Sequence, residues 1–260
     1  MSIKTAILNG VCTIEIARPE KKNALTVAMY QAMAAALTAA TADASVRAVL
    51  ITGQPGAFTS GNDIEDFMSR GVATHAEGKD PMDSPVFVFM RALLSCDKPV
   101  VAAVTGAAIG IGTTMLLHCD FVYVSDEARL AMPFVSLGLV PEFGSSLVVP
   151  QLMGHRRAAE KLLLGEPFTA EQAVDCGIAN AVLPAGEVMG HARRVAERFN
   201  QLPPGAVREA KRLLRSPLHE TILATIRTEA EIFGRRLRSP EAMEAFQAFF
   251  QKRKPDFSKF

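Results

Sequence analysis

The sequence predicts an α/β core followed by a helical C-terminal region. Through roughly the first 190 residues, short apolar and β-branched segments alternate with helical segments, which is typical of α/β folds. From about Glu187 to the end, the pattern is almost purely helical. We therefore place a boundary within 190–200 and predict two parts, a core over 1–195 and a helical region over 196–260.

Turn residues and apolar periodicity define the elements of the predicted core. Asn9-Gly10 separates two alternating segments and predicts a β-hairpin, because both residues tolerate positive φ. Thr169-x-x-Gln172 is a capping-box pattern and predicts a short helix that ends near Gly177. The remaining predictions are helices over 26–42, 64–68, 86–95, 113–118 and 144–153, strands over 46–52, 100–104, 121–124, 128–132 and 178–183, and loops or turns over 53–63, 70–84 and 105–112.

The C-terminal region is predicted to form amphipathic helices over 187–200, 205–215, 219–238 and 241–252. Ser239-Pro240 favours a helix start, with serine as N-cap and proline at the first helical position. The last helix carries Phe246, Phe249 and Phe250 on or near one face. We expect this apolar surface to pack on the core or on another subunit.

Composition argues against several classes of partner. The 260 residues are 49% hydrophobic, which is enough for one large domain or a domain with an appendage. A net charge of +1 does not favour nucleic acid or a membrane surface. The segment 99–119 lacks Asp, Glu, Lys and Arg, but its proline and glycines favour a buried strand, a turn and a helix over a membrane span. We expect neither a nucleic-acid nor a membrane partner.

Cysteine and histidine spacing argues against a metal or redox site. The four cysteines form no C-x-x-C pair, and the five histidines form no H-x-H or H-E-x-x-H pattern. Such cysteines are usual in a reducing compartment, and the N-terminus lacks the long apolar segment of a signal peptide. We expect a cytoplasmic protein without a bound metal.

Two glycine-containing segments could bring backbone N–H groups close to a ligand. Residues 57–63 read AFTSGND and follow a strand. Taken alone, such a segment is more often a plain strand-to-helix turn. Gly106, Gly110 and Gly112 lie between a buried strand and a helix, where N–H groups could meet an anion. Their spacing does not match the G-x-G-x-x-G dinucleotide fingerprint, which disfavours nicotinamide binding.

Glu142 is the third candidate. Between Arg129 and His155 it is the only side chain with a full charge at neutral pH, and its neighbours in LGLVPEFGSS are apolar or small. A loop acid near a helix start could favour the helix dipole from the surface. Alternatively, a carboxyl in an apolar pocket has a raised pKa, which is the property that a general base near neutral pH requires.

Other candidate groups fit less well. Ser145-Ser146 lacks the G-x-S-x-G elbow and an associated histidine, so a serine nucleophile is disfavoured. A basic strip at helical spacing is usually a solvated face, although a phosphate-bearing ligand could use it. Its members are Arg208, Lys211, Arg212 and Arg215.

Four segments in this order resemble the enoyl-CoA hydratase/isomerase (crotonase) family: IARPEKKNAL, AFTSGNDIEDF, KPVVAAVTGAAIGIGTTMLLHCDFVYVSDEARLAMPFVSLGLVPEFGSS and LLLGEPFTAEQAVDCGIANAVLP. The resemblance implies a crotonase-like superhelix of ββα repeats, with a helical C-terminal region that caps the core and mediates oligomerisation. It also implies an acyl-CoA thioester substrate and a homotrimer or dimer of trimers. No cofactor is implied, since coenzyme A is part of the substrate.

The resemblance also implies site residues. Backbone N–H groups of Asn62 and Ile111 match the family's oxyanion hole. The CoA-binding positions are Lys22, Ser60, Gly61, Asn62, Asp63 and Ile64. Thr114, Phe134 and Phe143 are expected to line the acyl pocket.

The two glutamates with which hydratases activate water are replaced here. Their positions correspond to Thr114 and Phe134, neither of which is acidic, so hydratase activity is not expected. Glu142 lies eight residues beyond Phe134 and matches the single catalytic glutamate of the peroxisomal-type enoyl-CoA delta isomerases. The resemblance therefore predicts isomerisation of 3-enoyl-CoA to 2-enoyl-CoA. Alternatives are another crotonase-fold acyl-CoA enzyme (hydratase, hydrolase or decarboxylase) and a non-catalytic acyl-CoA binder.

Overall fold

The computed structural model describes residues 2–54, 56–66, 68 and 80–260, and within these ranges ten strands form two sheets. The larger sheet has six strands in the order β1-β2-β3-β5-β7-β10. These strands are β1 Ile3–Leu8, β2 Val11–Ile16, β3 Ala48–Gly53, β5 Val100–Val104, β7 Phe121–Ser125 and β10 Ala181–Leu183. β1 and β2 are antiparallel, and every other neighbouring pair is parallel. Asn9 and Gly10 have φ of 49° and 70°, which confirms the predicted hairpin turn.

The smaller sheet has the order β4-β6-β8-β9, with β4 Ala57–Thr59, β6 Ala107–Ile109, β8 Arg129–Ala131 and β9 Phe168–Thr169. β9 is antiparallel to β8, and the other pairs are parallel. Along the chain, strands alternate between the two sheets from β3 to β8. The expected crotonase-like α/β superhelix is therefore confirmed.

Three strands of the smaller sheet were not predicted: β4, β6 and the two-residue β9. β4 and β6 fall in segments assigned to a loop and to a glycine-rich turn. Each is only three residues long and lies beside glycines that suggest a turn. Pairing with a parallel neighbour decides their conformation, and this pairing joins residues about 50 positions apart, Ala57 with Ala107.

Ten helices lie in the described ranges: α1 Val27–Ala42, α2 Ile64–Asp66, α3 Pro85–Leu94, α4 Ile111–Thr114, α5 Ser145–Met153, α6 His155–Leu162, α7 Ala170–Asp175, α8 Ala185–Arg198, α9 Pro204–Arg236 and α10 Pro240–Phe250. Short 3-10 turns cover Pro19–Lys21, Pro81–Asp83, Met115–His118, Val135–Leu137 and Phe199–Gln201. Thr26, Thr169 and Ser239 cap α1, α7 and α10 through their side chains, and the capping box at Thr169 is present. Of the predicted loop over 70–84, residues 70–79 lie outside the described residues.

The helices differ from the predictions in two places. α6 was not predicted, although it separates a charged face from the buried Ala158 and Leu162. α9 is one continuous helix of 33 residues, where two helices separated at Pro217 were expected. Pro217 cannot donate to the carbonyl of Leu213, which instead accepts the hydroxyl of Ser216 at 3.5 Å. Because the Ser216 hydroxyl replaces the missing backbone donor on an exposed part of the helix, α9 continues past Pro217.

Helices cover both faces of the larger sheet. α1 and α3 pack on one face, and α8 covers the other with Val188, Ala192 and Ala196. The uncharged segment 99–119 contains a buried strand, β5, and a short helix, α4, as predicted, together with the unpredicted strand β6 and a 3-10 turn. In the described part of the chain, no helix has the length and hydropathy that crossing a membrane requires.

The C-terminal helix α10 packs on the segment that leads to Glu142. Phe246 is buried against the core, as one alternative predicted, whereas Phe249 and Phe250 are exposed. Gly138 lies against the first turn of α10, and a Cβ added there would be 2.7 Å from the backbone nitrogen of Ala242. Arg236 at the end of α9 donates to the carbonyl oxygen of Gly138 at 3.0 Å. Both terminal helices thus fix the same backbone position.

We expect Gly138→Ala to lower the free energy of unfolding more than Gly177→Ala. Both glycines have positive φ, of 70° and 76°, so both variants carry the cost of a left-handed L-residue, about 1–2 kcal/mol. Only Gly138 also has backbone within 3.0 Å of an added Cβ, since the nearest atom to a Cβ at Gly177 is 4.0 Å away. Overpacking typically costs a further ~1–3 kcal/mol. Urea unfolding of the two variants measures the difference, and equal losses would contradict the close packing of α10.

Candidate active site

Glu142 is buried in the segment between the 3-10 turn at 135–137 and α5, with 5% of its surface exposed. Its Oε1 has no hydrogen-bond partner within the described part of the chain. Burial raises the pKa of this carboxyl from 4.5 to about 8, and the negative charge of Glu229 adds to the effect. Of the two interpretations of Glu142 from sequence, the structure places it in the buried environment.

The residues that follow Glu142 form an unusual turn. Phe143 and Gly144 have φ of 60° and 71°, so two consecutive residues occupy the left-handed region. This conformation is costly for an aromatic L-residue and persists only where the surroundings hold it. Phe143 is fully buried.

His118 holds this turn from the 3-10 segment that follows α4. Its Nε2 lies 2.7 Å from the carbonyl oxygen of Phe143, and its ring stacks on the Phe143 ring with 4.1 Å between centroids. Because a carbonyl only accepts hydrogen bonds, Nε2 must carry the proton. Burial lowers the pKa of His118 to about 4, which keeps the imidazole neutral at physiological pH.

Glu229 holds the same turn from α9. Its carboxylate accepts hydrogen bonds from the backbone N–H of Gly144 at 2.6 Å, the backbone N–H of Ser146 at 3.0 Å and the Ser146 hydroxyl at 2.5 Å. Burial raises the pKa of Glu229, while these three hydrogen bonds oppose that shift. Sequence reasoning missed Glu229. The signal that could have found it is its place in an apolar stripe of α9, at helical spacing with Ile222, Ile226 and Phe233.

At the two predicted oxyanion positions, the backbone N–H has no acceptor among the described residues. Leu25 donates to the carbonyl of Gly61, and Asp63 donates to the carbonyl of Leu25, which leaves the N–H of Asn62 between them without an acceptor in the described chain. Ile111 is the first residue of α4, where backbone N–H groups have no partner inside the helix. A Cβ at Gly61 would be 2.9 Å from the carbonyl oxygen of Ile109, so the two loops approach each other closely.

A pocket brings both oxyanion positions together with Phe134. It is lined by Ser60, Gly61, Asn62, Ile64, Ile109, Gly110, Ile111, Pro133, Phe134, Leu137, Leu139, Phe233 and Phe246. The lining is mostly apolar, as expected for an acyl pocket. Glu142, Phe143 and Thr114 are buried and are not among the lining residues, so a place for Thr114 and Phe143 in the acyl pocket stays a prediction. Thr114 Oγ1 is a second buried oxygen without a partner in the described chain.

Tyr30 connects the oxyanion loop with the buried acid. This residue of α1 is fully buried, and its hydroxyl donates to Oδ1 of Asn62 at 2.5 Å. Its pKa is raised well above 10, first by burial and then by the charge of Glu142, so hydroxyl and carboxylate lie within electrostatic reach. Sequence analysis gave no signal for Tyr30, because a tyrosine on a buried helix face is usually a packing residue.

The predicted CoA-binding positions lie beside one another. The backbone N–H of Ser60 donates to the carbonyl of Lys22 at 3.0 Å, and Lys22 itself has φ of 50° and is exposed. Asp63 forms an ion pair with Arg18 at 2.6 Å and accepts the backbone N–H of Asp66. The Asp63 side chain is therefore already engaged inside the protein.

The basic strip of α9 is also engaged. Lys211 and Arg215 both contact Asp120, at 2.6 and 2.8 Å, and Arg212 pairs with Glu209 at 2.7 Å. Among the residues that the structure describes, no group of three or more His, Cys, Asp and Glu side chains could hold a metal ion. The chemistry that this region can support rests on the carboxyl of Glu142 and the free N–H groups.

Comparison with known proteins shows the family of the chain. The family model described as enoyl-CoA hydratase/isomerase matches residues 6–259. Rat enoyl-CoA delta isomerase 2 is 36% identical over 245 residues, which cover 94% of this chain and 62% of the rat protein. The 2,3-dehydroadipyl-CoA hydratase of Escherichia coli K12 is 30% identical over 247 residues, covering 95% of this chain and 94% of that protein.

Similar solved structures indicate the same family. OdaA of Pseudomonas aeruginosa is 52% identical and superposes with a TM-score of 0.88 over 95% of this chain and 98% of its own. An enoyl-CoA hydratase/isomerase of Pseudoalteromonas atlantica T6c is 38% identical, with a TM-score of 0.92 over 99% and 100% of the two chains. The chain belongs to the enoyl-CoA hydratase/isomerase (crotonase) family, whose members act on acyl-CoA thioesters.

Proposed function

We propose that this protein is an enoyl-CoA delta isomerase that converts 3-enoyl-CoA to 2-enoyl-CoA through a single glutamate, Glu142. The observation that carries the proposal is a buried carboxyl with a pKa near 8 in a chain that has Thr114 and Phe134 at the two hydratase positions. A group with this pKa can take up a proton and release it again near neutral pH.

In the proposed reaction, the Glu142 carboxylate removes a proton from C2 of the 3-enoyl thioester. The electron pair of the broken C–H bond moves into a dienolate, whose oxygen accepts hydrogen bonds from the N–H groups of Asn62 and Ile111. The protonated Glu142 then returns the proton to C4, and the double bond comes to lie between C2 and C3. Oxyanion donors of this kind typically contribute about 2.7–4 kcal/mol each to transition-state stabilisation.

The apolar surroundings suit this role. The proton must return to carbon without exchange into water, and the pocket beside Phe134 and Phe246 offers few groups that would hold water. For this reaction the acyl chain must reach the carboxyl of Glu142, which is buried and is not among the residues that line the pocket. Lys22 and residues 60–64 are proposed to contact the CoA portion. Assembly as a homotrimer or a dimer of trimers, a cytoplasmic location and independence of any cofactor are further parts of the proposal.

Hydration of 2-enoyl-CoA is the second candidate, favoured by relatives that are named hydratases, such as the E. coli protein at 30% identity. A hydratase must place and activate a water molecule. The side chain of Phe134 cannot do so, and the buried hydroxyl of Thr114 is not a base. The two candidates therefore differ in the substrate that each consumes.

We expect purified protein to convert 3-enoyl-CoA to the conjugated 2-enoyl thioester and to leave 2-enoyl-CoA unhydrated. Glu142→Gln keeps the shape of the side chain but removes the base, and the loss of a general base typically costs about 100- to 10,000-fold in rate. The rise in absorbance of the conjugated thioester measures the reaction. Glu231→Gln, an exposed residue of α9, is the matched control. Rapid hydration of 2-enoyl-CoA, or full activity of Glu142→Gln, would contradict the proposal.

We also expect Glu142→Gln to stabilise the fold at alkaline pH. A carboxyl whose pKa is raised from 4.5 to about 8 by folding binds its proton more tightly in the folded chain than in the unfolded chain. The free energy of unfolding of the native chain therefore falls as the pH rises from about 4.5 to about 8. Glutamine does not titrate. Between pH 4 and pH 9, the stability of the variant relative to the native chain should rise by roughly 2–5 kcal/mol, at about 1.4 kcal/mol per pKa unit.

Urea unfolding at the two pH values measures this change, with Glu231→Gln again as the control. A constant difference between native chain and Glu142→Gln across the pH range would show that Glu142 ionises in its ordinary range. It would remove the main support for its role as a base near neutral pH.

A further inference from the structure

Glu229 is a buried carboxylate that the proposed reaction does not use. It lies on the apolar stripe of α9, between the fully buried Ile226 and the mostly buried Phe233, where an unpartnered charge would be costly. Its three hydrogen-bond donors all come from Gly144 and Ser146. The acid is therefore dedicated to the turn that follows Glu142.

The contacts around this turn show why it needs such a partner. The N–H groups of Gly144 and Ser146 lie at the N-terminus of α5, where no intrahelical acceptor is available. No side chain within α5 or at its N-cap satisfies them. The Glu229 carboxylate supplies both acceptors from another helix and places a negative charge at the positive end of the helix dipole. A Cβ at Gly144 would be 3.2 Å from the side chain of Ile222, so α9 packs directly on the turn.

Hydrogen bonding decides which of the two acids ionises first. Three donors favour the charged form of Glu229, whereas Oε1 of Glu142 has none in the described chain. Glu229 therefore loses its proton at lower pH, and its charge then raises the pKa of Glu142. The other titratable groups around Glu142 are Tyr30 of α1, which stays protonated, and His118, which stays neutral.

We propose that Glu229 is a positioning residue for the isomerisation: it fixes the Glu142 carboxylate by holding the backbone of Gly144 and Ser146, and its negative charge opposes a second negative charge on Glu142. This inference rests on the proposed function of Glu142. It assigns to a residue of the C-terminal helical region a direct influence on the geometry and the proton affinity of the base.

Two substitutions separate the two effects. Glu229→Gln removes the charge and leaves one acceptor oxygen. Glu229→Asp keeps the charge but shortens the side chain by one methylene, which moves the carboxylate away from the turn. Glu231→Gln removes an exposed charge from the same helix and serves as the control. The readout is the pH profile of kcat and kcat/KM for isomerisation of a 3-enoyl-CoA.

We expect Glu229→Gln to move the acidic limb of the kcat/KM profile to lower pH by about one unit, since the neighbouring charge that raises the pKa of Glu142 is gone. Glu229→Asp should leave the limb in place. Both variants should lose about 10- to 100-fold in kcat with little change in KM, because small displacements of a reacting group have costs of this size. Glu231→Gln should match the native chain. An unmoved limb in Glu229→Gln, or kcat values equal to the control, would overturn the inference.

A measurement without substrate keeps this test independent of the proposed reaction. Carbon-13 NMR of labelled glutamate carboxyls, with Glu142→Gln to assign the signal, follows the titration of Glu142 in the native chain and in the Glu229 variants. If the native chain does not isomerise 3-enoyl-CoA but Glu229→Gln lowers the pKa of Glu142, the proposed function fails and the coupling stands. If the native chain is active and the pKa does not respond, the inference fails alone. Should Glu229→Gln not fold, Ser146→Ala, which removes one donor, must raise the pKa of Glu229 and lower kcat, or the inference is rejected.

Discussion

The buried carboxyl of Glu142 depends on a turn that could not hold itself. Phe143 occupies the left-handed region with a large side chain, and two backbone N–H groups after it have no acceptor in their own helix. Partners from two distant segments satisfy this turn, namely His118 at the Phe143 carbonyl and Glu229 at the N–H groups of Gly144 and Ser146. Because these partners are neutral or negative, none of them offers Glu142 a compensating positive charge. The environment therefore favours the protonated form of Glu142, and that preference is the basis of the proposed chemistry.

The C-terminal helices take part in the candidate site as well as capping the core. α9 contributes Glu229 and Phe233, and α10 contributes Phe246 and packs against Gly138, which precedes Glu142 by four residues. The predicted boundary near residue 196 thus separates two parts that both line the pocket. A substitution that loosens the packing of α9 or α10 would displace Glu142 through these backbone contacts, even if the substituted residue does not touch the substrate.

Features set by local sequence could be predicted, and features set by distant contacts could not. The Asn9-Gly10 hairpin and the cap at Ser239 depend on a few adjacent residues, and both appear as expected. The strands β4 and β6 depend on pairing across about 50 residues, and the contact of Gly144 with Glu229 spans 85. Glu142 could be singled out because it is alone among apolar neighbours. Tyr30 carried no such signal, and Glu229 carried only its helical spacing with the apolar residues of α9. The roles of Asn62 and Ile111 came from resemblance and remain predictions.

Glu142 and Glu229 show that burial alone does not determine what an acid can do. Both are about equally buried, at 5% and 6% exposure, and burial raises the pKa of both. Glu229 accepts three hydrogen bonds, which favour its charge and fix its position, so it is poorly suited to carry a proton to a substrate. Oε1 of Glu142 has no hydrogen-bond donor among the residues that the structure describes, so no partner at this oxygen favours the charged form. The same apolar interior thus holds Glu229 as a structural anion and leaves Glu142 able to exchange its proton. In the proposed arrangement, the charge of Glu229 keeps the pKa of Glu142 raised.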